Sequence, residues 1–376
     1  MTLSYDVIIV GGGLAGLVSA LNLSMKGRKV LLIEKHAYPK HKVCGEYISR
    51  EVLPYLYSLD FDPYKFGAKD IQKITLSTAS NISVSTDLPL GGFSISRYCI
   101  DYELKKKAEL NGARVLKAKV SEIDFHNELF SVKTSSNDVY IAPLVIGAFG
   151  KRSNMDMKLN RPFLLQHAPF MAVKAHYSGA FPDDSVGLHN FEGGYCGISK
   201  IENNHINICY LTEAKIFNKY KNIQEFQEKV LYKNKFLKEV ITNSKLVFDQ
   251  PLAIGNVSFS SKNLVEDHML MCGDSAGMIH PLAGNGMGMA IRSAQMVSKL
   301  ILAYSQGEIK SREKLEGAYT KSWKNEFGLR LKSSHIIARL FRLGIIADLM
   351  MLFIKVFPFT LPYIIIKTHG TPIREE

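Results

Sequence analysis

The residues with the clearest chemical use lie near the start of the chain. Gly11-Gly12-Gly13-Leu14-Ala15-Gly16 has the spacing G-x-G-x-x-G. Gly11 suits a tight turn, Gly13 lets the backbone approach a pyrophosphate, and Gly16 allows a helix to pack closely on a strand. Leu14 and Ala15 fall where a helix begins, with free N–H groups and partial positive charge available to phosphates. Glu34 follows eighteen residues after Gly16, and an acid there can accept hydrogen bonds from both hydroxyls of a ribose. Two histidines sit in chemically dense stretches: His41 in Pro39-Lys40-His41-Lys42-Val43-Cys44-Gly45-Glu46, and His280 before a glycine-rich loop. Imidazole changes charge near neutral pH, so both are candidate proton carriers, against the commoner role of a surface or structural side chain. The cysteines Cys44, Cys99, Cys196, Cys209 and Cys272 include no Cys-x-x-Cys pair. Their odd count and irregular spacing argue against a metal site and against a disulfide framework.

These residues need elements that hold them. Tyr5 to Val10 reads as a buried parallel strand ended by glycine. Leu17 to Met25 has helical spacing, Gly27 can cap its end, and Val30 to Ile33 forms a second strand closed by Glu34. A lone glycine motif is a weak signal. Strand, glycines, helix, cap, strand and terminal acid in one register make a dinucleotide-binding unit. The unit alone does not separate one dinucleotide from another.

Four segments carry a resemblance that does. Pro39 to Glu46 resembles the P-x-x-K-x-C-G stretch of geranylgeranyl reductase-like flavoproteins, a branch of the p-hydroxybenzoate hydroxylase superfamily. Ser96-Arg97-Tyr98-Cys99-Ile100-Asp101 is similar to the S-R-x-x-x-D segment, and Leu144 to Ser153 to V-I-G-A-D-G-x-x-S. In the last of these Phe149 stands where the family has aspartate, which puts hydroxylase-style use of NAD(P)H in doubt. Gly273-Asp274-Ser275-Ala276-Gly277, followed by His280 to Met289, looks like G-D-A-A-G-x-x-x-P-x-x-G-x-G. The resemblance runs from about Asp6 to about Tyr304 and implies FAD. It implies cofactor contacts at Gly11, Gly13, Leu14, Ala15, Gly16, Glu34, Lys35, Lys42, Cys44, Gly45, Arg97, Val120, Gly273, Asp274, Pro281, Gly284, Gly286 and Met287. Val120 falls in a strand expected over Arg114 to Ile123 and would touch the adenine through its backbone. Asp274 would accept from the ribityl chain, and Pro281 would stiffen the turn under the flavin ring. The N–H groups of Gly286 and Met287 would stabilise negative charge on the ring. Cys44, Tyr195 and His280 are the candidate catalytic residues.

Residues 155–267 carry no dinucleotide motif. Short alternating runs at Phe170 to His176, Tyr195 to Ser199 and Ile206 to Leu211 read as an antiparallel sheet. Phe191-Glu192-Gly193-Gly194-Tyr195 resembles the F-x-G-G-Y segment that roofs the substrate cavity in the same branch. Tyr195 as a cavity wall and Tyr195 as a core aromatic are equally good readings. Residues 214–247 read as helical. The tail is basic from Lys321 to Arg342, then apolar from Leu343 to Ile366, with Pro358 and Pro362 expected to break helical continuity. Its uncharged runs are too short for the ~20 residues that span a bilayer. The tail therefore either caps the substrate domain or dips into a membrane interface. A net charge of +12 suits a membrane surface, an anionic substrate, nucleic acid or simply a solvated basic surface.

The expected fold is α/β: a Rossmann-like, doubly wound FAD-binding domain with an inserted antiparallel substrate sheet and a helical C-terminus. The expected segments are 1–155 (with some substrate-sheet strands near 70–95), 156–267, 268–310 and 311–376. The expected function is an FAD-dependent oxidoreductase reducing carbon–carbon double bonds of an isoprenoid-like compound. An aromatic monooxygenase acting on an alkyl-phenol is the alternative. Weaker readings are a flavin halogenase, against which the absence of W-x-W-x-I-P counts, and a non-catalytic FAD-bound partner. Expected partners are a lipophilic small molecule, NAD(P)H or a small redox protein as electron donor, and peripheral membrane contact through the tail, with no nucleic acid and no metal. The cysteine pattern suits a reducing cytoplasm and the N-terminus lacks the features of a signal peptide, so a cytoplasmic location is expected, with membrane association if the tail meets a bilayer.

Overall fold

The computed structural model describes residues 3–373; the outermost positions of the first and last expected segments lie outside the described residues. Val7–Val10 is buried at every position and forms the middle of a six-stranded sheet. Its neighbours are Val30–Glu34 on one side and Leu144–Gly147 on the other, both parallel to it. Arg114–Lys117 and Met269–Met271 extend the parallel set outward. Strands buried on both faces need continuous apolar runs, which V-I-I-V, V-L-L-I and L-V-I supply. Their carboxyl ends lie side by side, so the loops after Val10, Gly147 and Met271 emerge along one edge, where α/β sheets bind ligands. The helices Leu14–Met25 and Gly286–Ser305 pack against each other behind it.

The strand expected over Arg114 to Ile123 is two strands. Arg114–Lys117 pairs with Val30–Glu34, whereas Val120–His126 joins a separate sheet with Leu129–Thr134, Val139–Ala142 and Leu3–Ser4. The break falls where the Ala118 N–H is held by the Glu34 carbonyl.

The second large sheet has nine strands. Phe170–Ser178, His205–Glu213, Gly194–Lys200 and Ser185–Phe191 form an antiparallel meander, and Leu252–Val257 pairs with Phe170–Ser178. Lys69–Ser77 joins Ser185–Phe191 in parallel, and Ser83–Ser94 and Tyr47–Ser49 complete the edge. Two-residue alternation sorts the faces. Val173, Ala175, Ile198, Ile206 and Ile208 pack under the helices Ile223–Lys229 and Lys235–Thr242. Phe170, Ala172, Tyr195 and Leu211 face the opposite way, toward Phe341 and Ala347 of the C-terminal region.

That region is helical: Arg312–Arg342, Gly344–Val356 and Thr360–Thr368. The chain breaks at Pro358 as expected. Pro362 does not break it; it sits in the first turn of the last helix, where a missing N–H costs nothing. Met351, Ile354, Leu361 and Ile365 pack on Ile71, Ile74, Leu88 and Val186 of the large sheet. Among the described residues no single helix is long and apolar enough to cross a membrane.

Candidate active site

The glycine loop follows Val10 directly. Gly11 has φ +108°, and a Cβ there would meet the Ala148 carbonyl oxygen at 2.3 Å. A Cβ on Gly16 would lie 2.0 Å from the Gly11 oxygen, which is the close helix–strand approach the motif requires. Gly13 differs: its Cβ would meet only Arg97 Nη2, at 3.5 Å, so the space in front of it is open to a ligand. No acidic side chain lies in the first turn of the helix that follows, which leaves its N-terminus fit for phosphate. Glu34 Oε2 accepts the Gly12 N–H at 2.7 Å and Oε1 accepts the His36 N–H at 2.9 Å. A carboxylate has lone pairs beyond these two for ribose hydroxyls. Tyr38 donates its hydroxyl proton to the Gly12 carbonyl at 2.6 Å.

Arg97 stands over this loop. Its Nε and Nη2 donate to the two oxygens of Asp101 at 2.8 Å each, and Lys42 Nζ donates to Asp101 Oδ2 at 2.8 Å. Burial pushes the Asp101 carboxyl up, but the charges of Arg97 and Lys42 outweigh it and hold the group below its usual range. A planar bidentate pair fixes the guanidinium in place.

The Cys44 segment is gripped from the substrate sheet. Asn207 Nδ2 donates to the Gly45 carbonyl at 2.8 Å and to the Cys44 carbonyl at 3.2 Å. Glu46 is wholly buried and has φ +56°, a conformation non-glycine residues seldom adopt. Its side chain accounts for the conformation. Oε1 accepts from Lys174 Nζ at 2.5 Å and from the Arg97 N–H at 2.8 Å, and Oε2 meets His176 Nε2 at 2.8 Å. Burial favours the neutral acid, but the Lys174 charge and the His176 bond prevail, and the carboxyl titrates below its usual range. Alternation along Phe170–Ser178 aims Lys174 and His176 at this loop together. Cys44 Sγ lies 3.3 Å from Met287 Sδ, so the cysteine touches the start of the helix Gly286–Ser305. Burial pushes its thiol up, which keeps it protonated at neutral pH.

Asp274 follows Gly273 (φ +62°) at the edge of the parallel sheet. Burial raises its carboxyl, against the opposing charges of Lys262, Arg97 and Lys151. Lys262 donates to the carbonyls of Lys151 and Asp274 at 2.7 Å each. The Lys151 ammonium is buried and, among the described residues, makes no hydrogen bond. Burial brings its pKa down to about 8. An orphaned cation beside the glycine loop suits an anionic ligand group.

A cavity of about 680 Å³ joins these parts, within the range of cofactor and ligand sites. Gly11, Gly13, Leu14, Ala15, Glu34, Lys35, Lys42, Cys44, Gly45 and Arg97 line it, as do Tyr195, Gly273, Asp274, Pro281, Gly284, Gly286 and Met287. Gly16, Val120 and His280 do not. Gly16 sits one turn into its helix, and Val120 lies in the separate small sheet. His280 is behind the wall, its ring 5.9 Å from that of Tyr195, and burial lowers its pKa to about 3. The sequence reading missed Glu46, Lys174, His176, Asn207, Lys151 and Lys262. Lys174 and His176 left a trace, two polar residues two apart in an otherwise apolar strand.

A glycine cradle at a helix start, an acid at the end of the following strand and a second glycine loop lie along one sheet edge, an arrangement suited to a dinucleotide cofactor. Residues 6–41 match the FAD binding domain family. The chain is 23% identical over 92% of its length to conditioned medium factor receptor 1 of Dictyostelium discoideum, covering 72% of that protein. It is 25% identical to digeranylgeranylglycerophospholipid reductase of Methanosarcina acetivorans, over 90% of this chain and 84% of that one. It is 24% identical to menaquinone reductase of Mycobacterium tuberculosis, over 79% and 76%. Among solved structures, the flavin-dependent brominase Bmp2 superposes with a TM-score of 0.80 at 17% identity, over 96% of this chain and 93% of that one. A probable FAD-dependent monooxygenase of Pseudomonas aeruginosa gives 0.75 at 13%, over 91% and 98%. The protein is thus an FAD-dependent oxidoreductase with the fold of flavin-dependent halogenases and monooxygenases. Its sequence is similar to geranylgeranyl reductase-like flavoproteins.

Proposed function

We propose that the chain reduces carbon–carbon double bonds in a long, apolar, isoprenoid-like substrate. The observation that carries this reading is the apolar reach of the cavity. From Cys44 and Met287 it runs past Ile74, Leu88 and Leu188 to Met351, Ile354, Leu361 and Ile365. Such a tunnel suits a hydrocarbon chain better than a compact polar ring. The similarity to the archaeal reductase points the same way.

FAD, when bound, supplies the hydride chemistry. The chain's own residues do the rest. The backbone at Gly13, Leu14 and Ala15 holds the pyrophosphate, with Arg97, Lys42 and Lys151 supplying positive charge. Glu34 and Lys35, which line the cavity, would hold the ribose side. Asp274 would accept from the ribityl chain, and Pro281 and Gly284 would shape the turn beside the cofactor. The N–H groups of Gly286 and Met287, opening a helix of 20 residues, stabilise negative charge on the ring. The protonated Cys44 thiol, which lines the cavity beside Met287, would give a proton to the carbon that needs one. Tyr195 walls the cavity opposite. His280, neutral at pH 7, positions the Tyr195 ring rather than donating. Electrons come from NAD(P)H or a small redox protein.

The test is anaerobic photoreduction of the flavoprotein, followed by geranylgeraniol or by oxygen with an alkyl-phenol. Reoxidation by the alkene without oxygen supports the reading. Hydroxylated phenol, with no alkene-driven reoxidation, overturns it in favour of a monooxygenase. Cys44→Ala should slow alkene reduction with FAD retained; full activity would remove Cys44 from proton delivery.

A further inference from the structure

The last two helices have a second face. Leu343, Ile345, Ile346, Leu349, Leu352, Phe353, Val356, Phe357, Phe359, Tyr363 and Ile366 are all exposed, Ile345 at 80% and Phe359 at 70%. These are half of the large hydrophobic side chains exposed among the described residues, gathered in one short stretch. Scattered exposed apolar residues need no explanation, but a patch does. Every exposed charged side chain from Lys321 to Lys367 is a cation: Lys321, Lys324, Lys332, Arg339, Lys355 and Lys367. The two acids of this stretch are occupied, Glu326 by Arg292 and Arg330 and Asp348 by Ser80. An apolar plate on a stretch whose exposed charges are all cations is complementary to an anionic bilayer surface.

The plate also has an opening. The helices Gly344–Val356 and Thr360–Lys367 are bent by 116°. Between them lies a groove of about 290 Å³, lined by Leu349, Met350, Phe353, Ile354, Thr360 and Ile364. Met350, Ile354 and Ile364 line the main cavity as well, so one thin apolar wall separates the plate from the site. We infer that these helices seat the protein on an anionic lipid surface, and that the groove between them admits an apolar chain from the bilayer to the cavity. Docking stands on the exposed plate alone; the entrance rests on the apolar-substrate reading above.

The holoprotein should sediment with phosphatidylcholine–phosphatidylglycerol vesicles and weakly with phosphatidylcholine alone. A Phe353→Glu/Phe359→Glu variant should bind at least about tenfold less, since each buried ring contributes more than the free energy of that factor, with its flavin content intact. Absence of binding by the parent, equal binding by the variant, or a dimer that the same variant dissociates would overturn docking. For the entrance, Ile364→Trp should keep vesicle binding but delay the perturbation of flavin absorbance by vesicle-borne geranylgeraniol. Equal rates overturn the entrance. No perturbation in the parent overturns the substrate reading and the entrance together, and leaves docking standing.

Discussion

Replacing Lys174 with methionine tests the link between the two sheets. Methionine keeps the length of the side chain and removes its charge. Glu46, with no exposure to solvent, would keep the Arg97 N–H and His176 but lose the ammonium at 2.5 Å. Breaking a buried pair by removing one partner costs about 3–5 kcal/mol, because the other charge stays buried. For a chain of this length that corresponds to a fall in melting temperature of roughly 4–6 °C. Thermal unfolding with a Lys174→Met/Glu46→Gln cycle reads the effect. The double variant should recover part of the loss, because the stranded carboxylate is gone. The pH dependence follows from the lowered Glu46 pKa. Its stabilisation is present above the unfolded value and is lost as pH falls through the folded one. Without Lys174 that loss should begin at higher pH. A shift below 1 °C (about 1 kcal/mol here), or additivity in the cycle within about 0.5 kcal/mol, would refute the argument that this ion pair ties the substrate sheet to the Cys44 loop.

Two glycines should separate folding from cofactor binding. Gly16→Ala places a methyl 2.0 Å from the Gly11 oxygen and should lower the melting temperature of the FAD-free protein. Gly13→Ala meets nothing closer than 3.5 Å, so it should fold normally and lose FAD, read by absorbance after gel filtration; normal flavin content would mean the pyrophosphate does not approach Gly13. The buried histidines set an acid limit. Burial lowers His189 to about 4 and His280 to about 3, so the unfolded chain binds more protons below pH 6.5. Stability is then full above about pH 6.5 and falls toward pH 4, by up to about 3 kcal/mol for His189 alone. His189→Asn should flatten that slope in urea titrations, and an unchanged slope would assign the acid loss to other groups.

The parallel core was readable because its signals are local. An apolar run ended by Gly11, a helix and a second run ended by Glu34 need no distant partner to be recognised. The split of Arg114 to Ile123 was hidden because a strand pattern does not say which sheet it joins. The Glu46 cluster was hidden more deeply: its members come from a loop, the start of the helix Arg97–Leu110 and a strand 128 and 130 residues away. Lys174 and His176 in an apolar strand announce that something buried must meet them, but not what. The tail's two readings were both legible as composition. Packing decides face by face, and the inner faces of the last two helices, at Met351, Ile354, Leu361 and Ile365, lie on the large sheet.

The order in which the chain visits its sheets has a further result. It leaves the parallel sheet after Val30–Glu34 for Tyr47–Ser49 and Lys69–Ser94, and returns at Arg114–Lys117. It passes through the small sheet over Val120–Ala142 to Leu144–Gly147, leaves again for Phe170–Val257, and returns at Val265–Glu266 and Met269–Met271. Neither sheet is a continuous length of chain, so neither can be cut out whole. Limited proteolysis should therefore leave no stable fragment matching either layer, and both should melt in one transition. FAD, which binds along one layer, should protect the other to the same degree.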